Sequence, residues 1–242
     1  MIQVIHRAID IVEYVAKDNT QPKLLGNIAK DLNLNSATCA NIIKTLVTRG
    51  FLKKAVKEKG YLLGSAISEI ANGTFGFKDL LAVADVEMEK ALKILNENSL
   101  IAFLKENKRI ILHKKVCTQA IQVVTPDEKE AYDTSSGRLL VAMLSDKDLM
   151  KYLKKYGLPA KNVWPCANSK ENFLAQIEEI RTKGYALIED SVQVVGIATP
   201  IYRNGKIIAS LSIYIPSFRF DEKIKQEMMS SAVSLSKKLS VP

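Results

Sequence analysis

The chain has 242 residues, 47% hydrophobic and 25% charged, the composition of a globular protein with a real core. No apolar run approaches the roughly 18 residues that cross a bilayer, and the start lacks the apolar segment of a secretory signal. A cytoplasmic protein without membrane attachment is therefore expected. The net charge of +9 is uneven, with ten basic against five acidic residues in positions 1–60, and so favours a polyanionic partner such as nucleic acid.

Ile2, Ile5, Ala8, Ile9, Val12 and Val15 or Ala16 recur every three or four residues and predict a first helix, ended by the turn at 18–22. A second is expected over 24–32, with Leu25, Ile28, Ala29 and Leu32 inward. A third follows a cap at Asn35 or Ser36, with Ala37, Ala40, Ile43, Leu46 and Val47 inward, and stops at Gly50. Residues 51–56 and 61–63 read as strands around a charged turn at 57–60. Three helices and a basic hairpin in about 60 residues is the order of a winged helix-turn-helix. A helix over 65–71 leads to punctuation at 72–77, where the boundary is placed: 1–64 as the winged domain, 65–77 as a linker helix, 78–242 as a second domain.

In that second part, a long helix over 80–95 carries Leu81, Ala84, Met88, Ala91, Leu92 and Leu95 in register. A hairpin follows over 100–105 and 109–116, turning at Asn107-Lys108, with a short strand at 121–124. Helices are expected over 136–144, 147–156 and 170–183, and strands over 185–188, 197–202 and 206–215. Asn204-Gly205 marks a two-residue hairpin turn. Asp221 caps a terminal helix through Ile224, Met228, Val233 and Leu235. The fold class is α+β with a largely antiparallel sheet.

The third helix would enter the major groove. Ser36, Thr38, Asn41, Lys44, Thr45 and Thr48 face outward, and Asn41 is the best base reader, because a carboxamide pairs bidentately with adenine. Lys44, Arg49, Lys53, Lys54, Lys57 and Lys59 suit phosphates, which position without specifying.

Arg7-Ala8-x-Asp10-Ile11, Leu25-x-x-Ile28-Ala29-x-x-Leu32, Lys44-Thr45-Leu46, Arg49-Gly50-Phe51 and Tyr61-Leu62-Leu63-Gly64 occur in the first part. Thr134-Ser135-Ser136-Gly137-Arg138, Gly184-Tyr185-Ala186, Gly196-Ile197-Ala198-Thr199-Pro200 and Ala209-Ser210-Leu211-Ser212-Ile213 follow. In this order the segments resemble the isocitrate lyase regulator (IclR) family of bacterial transcription factors along nearly the whole chain. The resemblance implies a winged helix domain, a linker helix and a GAF-like effector domain. It also implies binding to double-stranded DNA as a homodimer or dimer of dimers, and response to a small-molecule effector, often a carboxylate. Carried over, the effector pocket would involve Thr134, Ser136, Gly137, Glu189, Asp190, Gly196, Ser210, Ser212 and Tyr214. Two departures are visible: Ala40-Asn41 stands where an aromatic or His followed by Arg is frequent. Gly196 and Tyr214 replace the Cys and Ser common in members that bind small acids, which argues against a glyoxylate-like ligand.

Hydroxyls of Thr134, Ser136 and Ser212 beside the start of the 136–144 helix suit a carboxylate, although Ser136 could equally be only the helix cap. Catalysis finds little support. His6 and His113 are the only histidines and fall in different domains, and no nucleotide-binding or zinc-protease motif occurs. Cys39, Cys117 and Cys166 encode neither disulfide framework nor metal knuckle. Neither cofactor, metal nor enzymatic activity is expected. The alternative reading is a small-molecule sensor or enzyme with a vestigial winged domain. Trp164 could line the pocket or anchor a loop.

Overall fold

The computed structural model describes residues 2–56, 58–72, 76–189 and 193–240. The chain forms two compact units, residues 1–76 and 77–242.

In the first unit, α1 (Gln3–Ala16), α2 (Leu25–Asp31) and α3 (Ser36–Thr48) precede a hairpin of β1 (Leu52–Lys54) and β2 (Tyr61–Leu63), and α4 (Ser65–Asn72) closes it. Ile11, Val15, Ile28, Ala29, Cys39, Ile42, Ile43 and Leu52 form its core. Of the periodic apolar residues of α1, Val15 lies in the core and Ala8 packs against it, joined by Ile11 from outside that stripe. Ile11 and Val15 are fully buried, while Ile2, Ile5 and Ile9 are at least half exposed. In α3 the inward residues are Cys39, Ile42 and Ile43, and Ala37 is exposed. The Asn35 side chain caps α3 by accepting from the Ala37 N–H at 2.9 Å. At the other end Gly50 takes φ +73°, the Gly50 N–H donates to Val47 and the Phe51 N–H to Leu46, which together satisfy the last carbonyls. The exit of the hairpin then stacks on this turn, so that a Cβ on Gly64 would stand 2.0 Å from the Gly50 carbonyl oxygen.

In the second unit α5 (Lys78–Leu95) leads into a six-stranded sheet. Its strands are β3 (Asn98–Lys105), β4 (Lys108–Lys115), β5 (Glu128–Glu130), β6 (Ala186–Glu189), β7 (Val194–Arg203) and β8 (Lys206–Pro216), in the spatial order β5-β4-β3-β8-β7-β6. Every pairing is antiparallel. Side chains alternate across a strand, and both faces are covered. On one, Ile101, Val195, Ile197, Leu211, Ile213 and Ile215 pack against Leu80, Ala84 and Met88 of α5 and Met228, Ala232 and Leu235 of α9 (Glu222–Leu239). On the other, Ala186 and Ala198 pack against α6 (Ser135–Ala142), α7 (Asp146–Tyr156) and α8 (Lys170–Lys183).

Several expectations shift. Leu80 rather than Leu81 is the deeply buried residue of α5, and Val233 is exposed on α9. The first hairpin turns at Glu106-Asn107, with Glu106 at φ +55°. No strand forms at 121–124, where Ile121 and Val124 are exposed and side chains, not a ladder, take the backbone carbonyls; β5 lies further on. Trp164 anchors a loop: it is buried between Phe173 and Tyr132 with Arg138 over its ring at 4.4 Å. The Asn204-Gly205 turn forms as expected, both residues at positive φ.

These contacts rank two glycines of the first unit. Gly50→Ala strains one left-handed residue and should cost about 1 to 2 kcal/mol. Gly64→Ala drives a methyl into a backbone carbonyl and should cost about 3 kcal/mol or more. Urea unfolding of the full chain followed by circular dichroism measures both; equal costs would contradict this packing.

Candidate functional site

On the α6 face of the sheet a cavity of about 100 Å³ opens between β3, β4, β7, β8, the start of α6 and the loop at 116–127. Five of the residues expected from the sequence line it: Thr134, Ser136, Gly196, Ser212 and Tyr214. Ser210 does not; it is fully buried and its Oγ lies 3.4 Å from the Ala102 carbonyl. Glu189 is exposed at the end of β6 and outside the lining. Asp190 lies outside the described residues, as does Lys57. Gly137 also lies outside the lining and serves packing: a Cβ there would meet the Ala131 carbonyl oxygen at 2.1 Å.

Hydrogen-bond directions decide what the hydroxyls offer. Ser212 Oγ donates to the Ile197 carbonyl at 3.0 Å and lies 3.2 Å from Ser135 Oγ, so Ser135 is the donor in that pair and both protons are committed. Thr134 rather than Ser136 is the cap of α6: its Oγ1 accepts from the Gly137 N–H at 3.0 Å and from Ser136 Oγ at 3.4 Å. With its lone pairs occupied, the Thr134 hydroxyl has only its own proton left to offer. Tyr214 is buried against Leu100 and Ala102, its phenol without a protein partner among the described residues. Burial pushes its pKa up to about 12, with Arg109 acting against the rise, so the phenol stays neutral and can donate.

The residue that sequence reading missed is Arg109. It is 1% exposed on β4 and lines the cavity. Its Nη1 donates to the Pro126 carbonyl and its Nη2 to Thr125 Oγ1, both at 3.0 Å, and its Nε has no partner. Burial lowers its pKa, while Tyr214 and Asp127 partly offset this; a guanidinium nonetheless remains charged. Its strand neighbours Ile110 and Ile111 gave only a hydrophobic signal, and a single arginine between them carries no motif. Lys129, also unforeseen, lines the same cavity from β5, directly opposite Arg109 in the ladder. Among the described residues Asp133 is the one carboxylate in the lining. Leu100, Val123, Ile188 and Val194 supply apolar wall.

The loop at 116–127 is tied to Asn96 and Glu97, which join α5 to β3, and to Asn98, the first residue of β3. Asn98 Oδ1 accepts from the Cys117 N–H at 2.6 Å, and its Nδ2 donates to the Val123 carbonyl at 2.8 Å. Gln119 Nε2 donates to the Asn96 carbonyl and to Glu97. Arg219 holds Glu97 through two bonds of 2.9 Å and donates a third to the Ile121 carbonyl. Arg109 completes the attachment from inside.

In the first unit Ser36, Asn41, Lys44, Thr45, Arg49, Lys53, Lys54 and Lys59 are exposed and Thr38 is half-buried. Among the described residues Lys44, Arg49, Lys53, Lys54 and Lys59 have no carboxylate partner, in contrast to Lys23, which pairs with Asp18 at 3.2 Å. Thr45 donates to the Asn41 carbonyl and borders an apolar groove with Val4, Ile5, Ile9, Val12, Leu46 and Phe51. Elsewhere His113 lies 3.0 Å from Asp85, not beside a nucleophile. Among the described residues no group of three His, Cys, Asp or Glu side chains could hold a metal, and no helix is long and apolar enough to cross a membrane.

A three-helix unit with a basic hairpin, joined in one chain to a helix-flanked antiparallel sheet with a polar cavity, is the arrangement of a single-chain transcriptional regulator. A family profile described as bacterial transcriptional regulator IclR C-terminal matches residues 74–241, and the chain belongs to the IclR family. It is similar to the HTH-type transcriptional regulator KdgR of Escherichia coli K12, 23% identical over 219 residues, covering 88% of this chain and 82% of that protein. Among solved structures, Thermotoga maritima IclR superposes with a TM-score of 0.58 at 20% identity over 100% of both chains. An IclR homologue from Microbacterium hydrocarbonoxydans complexed with 4-hydroxybenzoate gives 0.58 at 23%, over 98% of each chain.

Gly196 has its own local cause. A Cβ there would lie 2.7 Å from Ser135 Oγ, so any larger residue at this position displaces the start of α6 or its hydroxyl. Gly196→Ala should therefore cost about 1 to 3 kcal/mol, and Ser135→Ala in the same chain should return most of it. A double-mutant cycle by urea unfolding checks this; strictly additive costs would mean that the clash is not with Ser135.

Proposed function

We propose that the protein is a sequence-specific DNA-binding regulator that works as a homodimer or dimer of dimers and answers to a small organic acid held in the cavity of its second unit. The observation that carries the DNA reading is the group of exposed cations, unpaired among the described residues, Lys44, Arg49, Lys53, Lys54 and Lys59, gathered on the last turns of α3 and on the hairpin. Cations left without carboxylates are free to replace the counterions of a phosphate backbone. Lys57 belongs to the same hairpin turn by sequence. Asn41, exposed on α3, is the base reader, with Ser36, Thr38 and Thr45 beside it.

For the effector, the 4-hydroxybenzoate of the Microbacterium hydrocarbonoxydans homologue supports an acid as ligand, and the donors that line this chain's cavity suit one. Occupancy would be felt by the loop at 116–127, and through Asn96, Glu97 and Asn98 by the end of α5, whose other end continues the chain from the first unit. A ligand acts only by binding one arrangement better than another. The dimer reading rests on α1, whose Val4, Ile5 and Ile9 are at least half exposed along an apolar groove; a second copy's α1 is the natural cover. No catalytic residue is assigned.

Two sets of measurements test this. Asn41→Ala should cost about 1 to 3 kcal/mol on the cognate site and relax preference at one base pair, whereas Lys54→Ala should weaken cognate and random DNA alike and flatten the salt dependence by roughly 0.9 in log–log slope. Fluorescence anisotropy at several salt concentrations distinguishes them, and indistinguishable effects would refute the assignment. Ile5→Glu should shift the chain toward monomer in analytical ultracentrifugation; an unchanged mass would place the dimer contact elsewhere.

A further inference from the structure

The six-stranded sheet of the second unit has two edges, and they are built differently. At one, β5 is three residues long and charged throughout, as Glu128, Lys129 and Glu130. A short, charged edge strand discourages any further strand from adding. At the other, β6 reads Ala186-Leu187-Ile188-Glu189, with no proline, no lysine and no bulge against β7. Among the described residues, its outward N–H and C=O groups have no hydrogen-bond partner. Leu187 is 38% exposed at this edge, although its ladder neighbour Ile197 is fully buried. Charge is graded along the same edge. Lys183 at the end of α8 and Lys225 on α9 line, with Tyr185, Ala186 and Leu187, a cavity of about 270 Å³ at the start of the strand. Their carboxylate partners, Glu179 and Glu222, sit one turn away on their own helices, and exposed pairs of that kind hold little energy and rearrange readily. At the far end of the strand Glu189 is exposed and has no cation partner among the described residues.

We infer that β6 is a contact between two copies of this chain, its strands pairing antiparallel across a twofold axis perpendicular to the sheet, so that two six-stranded sheets become one. Ala186 and Ile188 face α6, which leaves Leu187 and Glu189 on the α9 face. Residues directly opposite one another in an antiparallel pair share a face. The register that covers the exposed side chain therefore sets Leu187 against the partner's Leu187 and Tyr185 against the partner's Glu189. Each Glu189 then reaches the basic start of the facing strand, beside the partner's Lys183 and Lys225, and symmetry makes this contact twice. A strand from an unrelated protein could answer either the cations or the carboxylate by chance, whereas a second copy carries both halves of the pattern in reverse order. The inference rests on the assembly reading given above and narrows it to a dimer of dimers, with α1 as one contact and β6 as the other.

Sedimentation of the full chain over a wide concentration range tests it, together with cross-linking. Leu187→Lys alters a side chain that is already exposed and sets two like charges opposite one another across the axis. It should halve the mass of the assembly, with a rise of roughly tenfold or more in the dissociation constant of this contact. Combined with Ile5→Glu it should give monomers. Leu187→Cys, in a chain whose exposed Cys166 is replaced by Ser, should form a disulfide-linked pair of chains under mild oxidation. Glu189→Cys in the same background should not, because four residue rises, roughly 13 Å, separate it from its own mate in this register. A mass that Leu187→Lys leaves unchanged, or cross-linking no faster at 187 than at 189, would overturn the inference and leave the edge to a strand of another protein. The α1 reading fails separately: if Ile5→Glu leaves the mass unaltered while Leu187→Lys lowers it, α1 is not a contact and β6 is.

Discussion

The register of β7 against β8 is the constraint on which both the core and the site depend. Gly196 stands opposite Tyr214, Ile197 opposite Ile213, and Ala198 opposite Ser212. Odd-numbered positions of this pair pack under α5 and α9, and even-numbered positions face α6. A slip of one residue would send Ser212 and Tyr214 into the apolar layer and Ile213 and Ile215 into the cavity. The Asn204-Gly205 turn, with both residues in the left-handed region, is the local chemistry that sets the pairing. Gly196 then permits α6 to approach closely enough for Ser135 to reach Ser212. One turn and one missing Cβ thus position the polar wall of the cavity.

Around that frame the second unit buries a guanidinium whose hydrogen-bond partners are neutral, with Asp127 acting on it only at longer range. A buried guanidinium is an expensive feature of a fold. Here it has two roles at once: it holds Thr125 and Pro126 of the loop, and it shows its remaining donors to the cavity. A ligand that engages Arg109 therefore acts on the same group that secures the loop. The loop in turn is fastened to Asn96, Glu97 and Asn98, which lead from α5 into β3.

Much of the architecture was legible from periodicity and turn chemistry. The helices of both units, the two main hairpins and the Asp221 cap follow from spacing, glycines and capping residues. Failures occurred where tertiary context chose between equal local options. α1 is apolar on more than one face, and only packing against α3 selects Ile11 and Val15 over Ile5 and Ile9. Residues 121–124 look like a strand by composition, yet Arg219 and Asn98 take their carbonyls. At the site, Thr134, Ser136, Gly196, Ser212 and Tyr214 were found through the family resemblance. Arg109 and Lys129 were not, because a cation amid strand residues reads as surface until a ladder partner and a cavity are known.

The central claim is that occupation of this cavity and binding of DNA are coupled. The direct test is a linkage square: anisotropy titrations of operator DNA, selected by the full chain from random sequence, with and without a saturating acid that calorimetry shows to bind. The acid's affinity is then measured with and without DNA. The account predicts a change of roughly 5- to 150-fold in DNA affinity and the same factor in acid affinity. A saturated cavity with unchanged DNA affinity would contradict it.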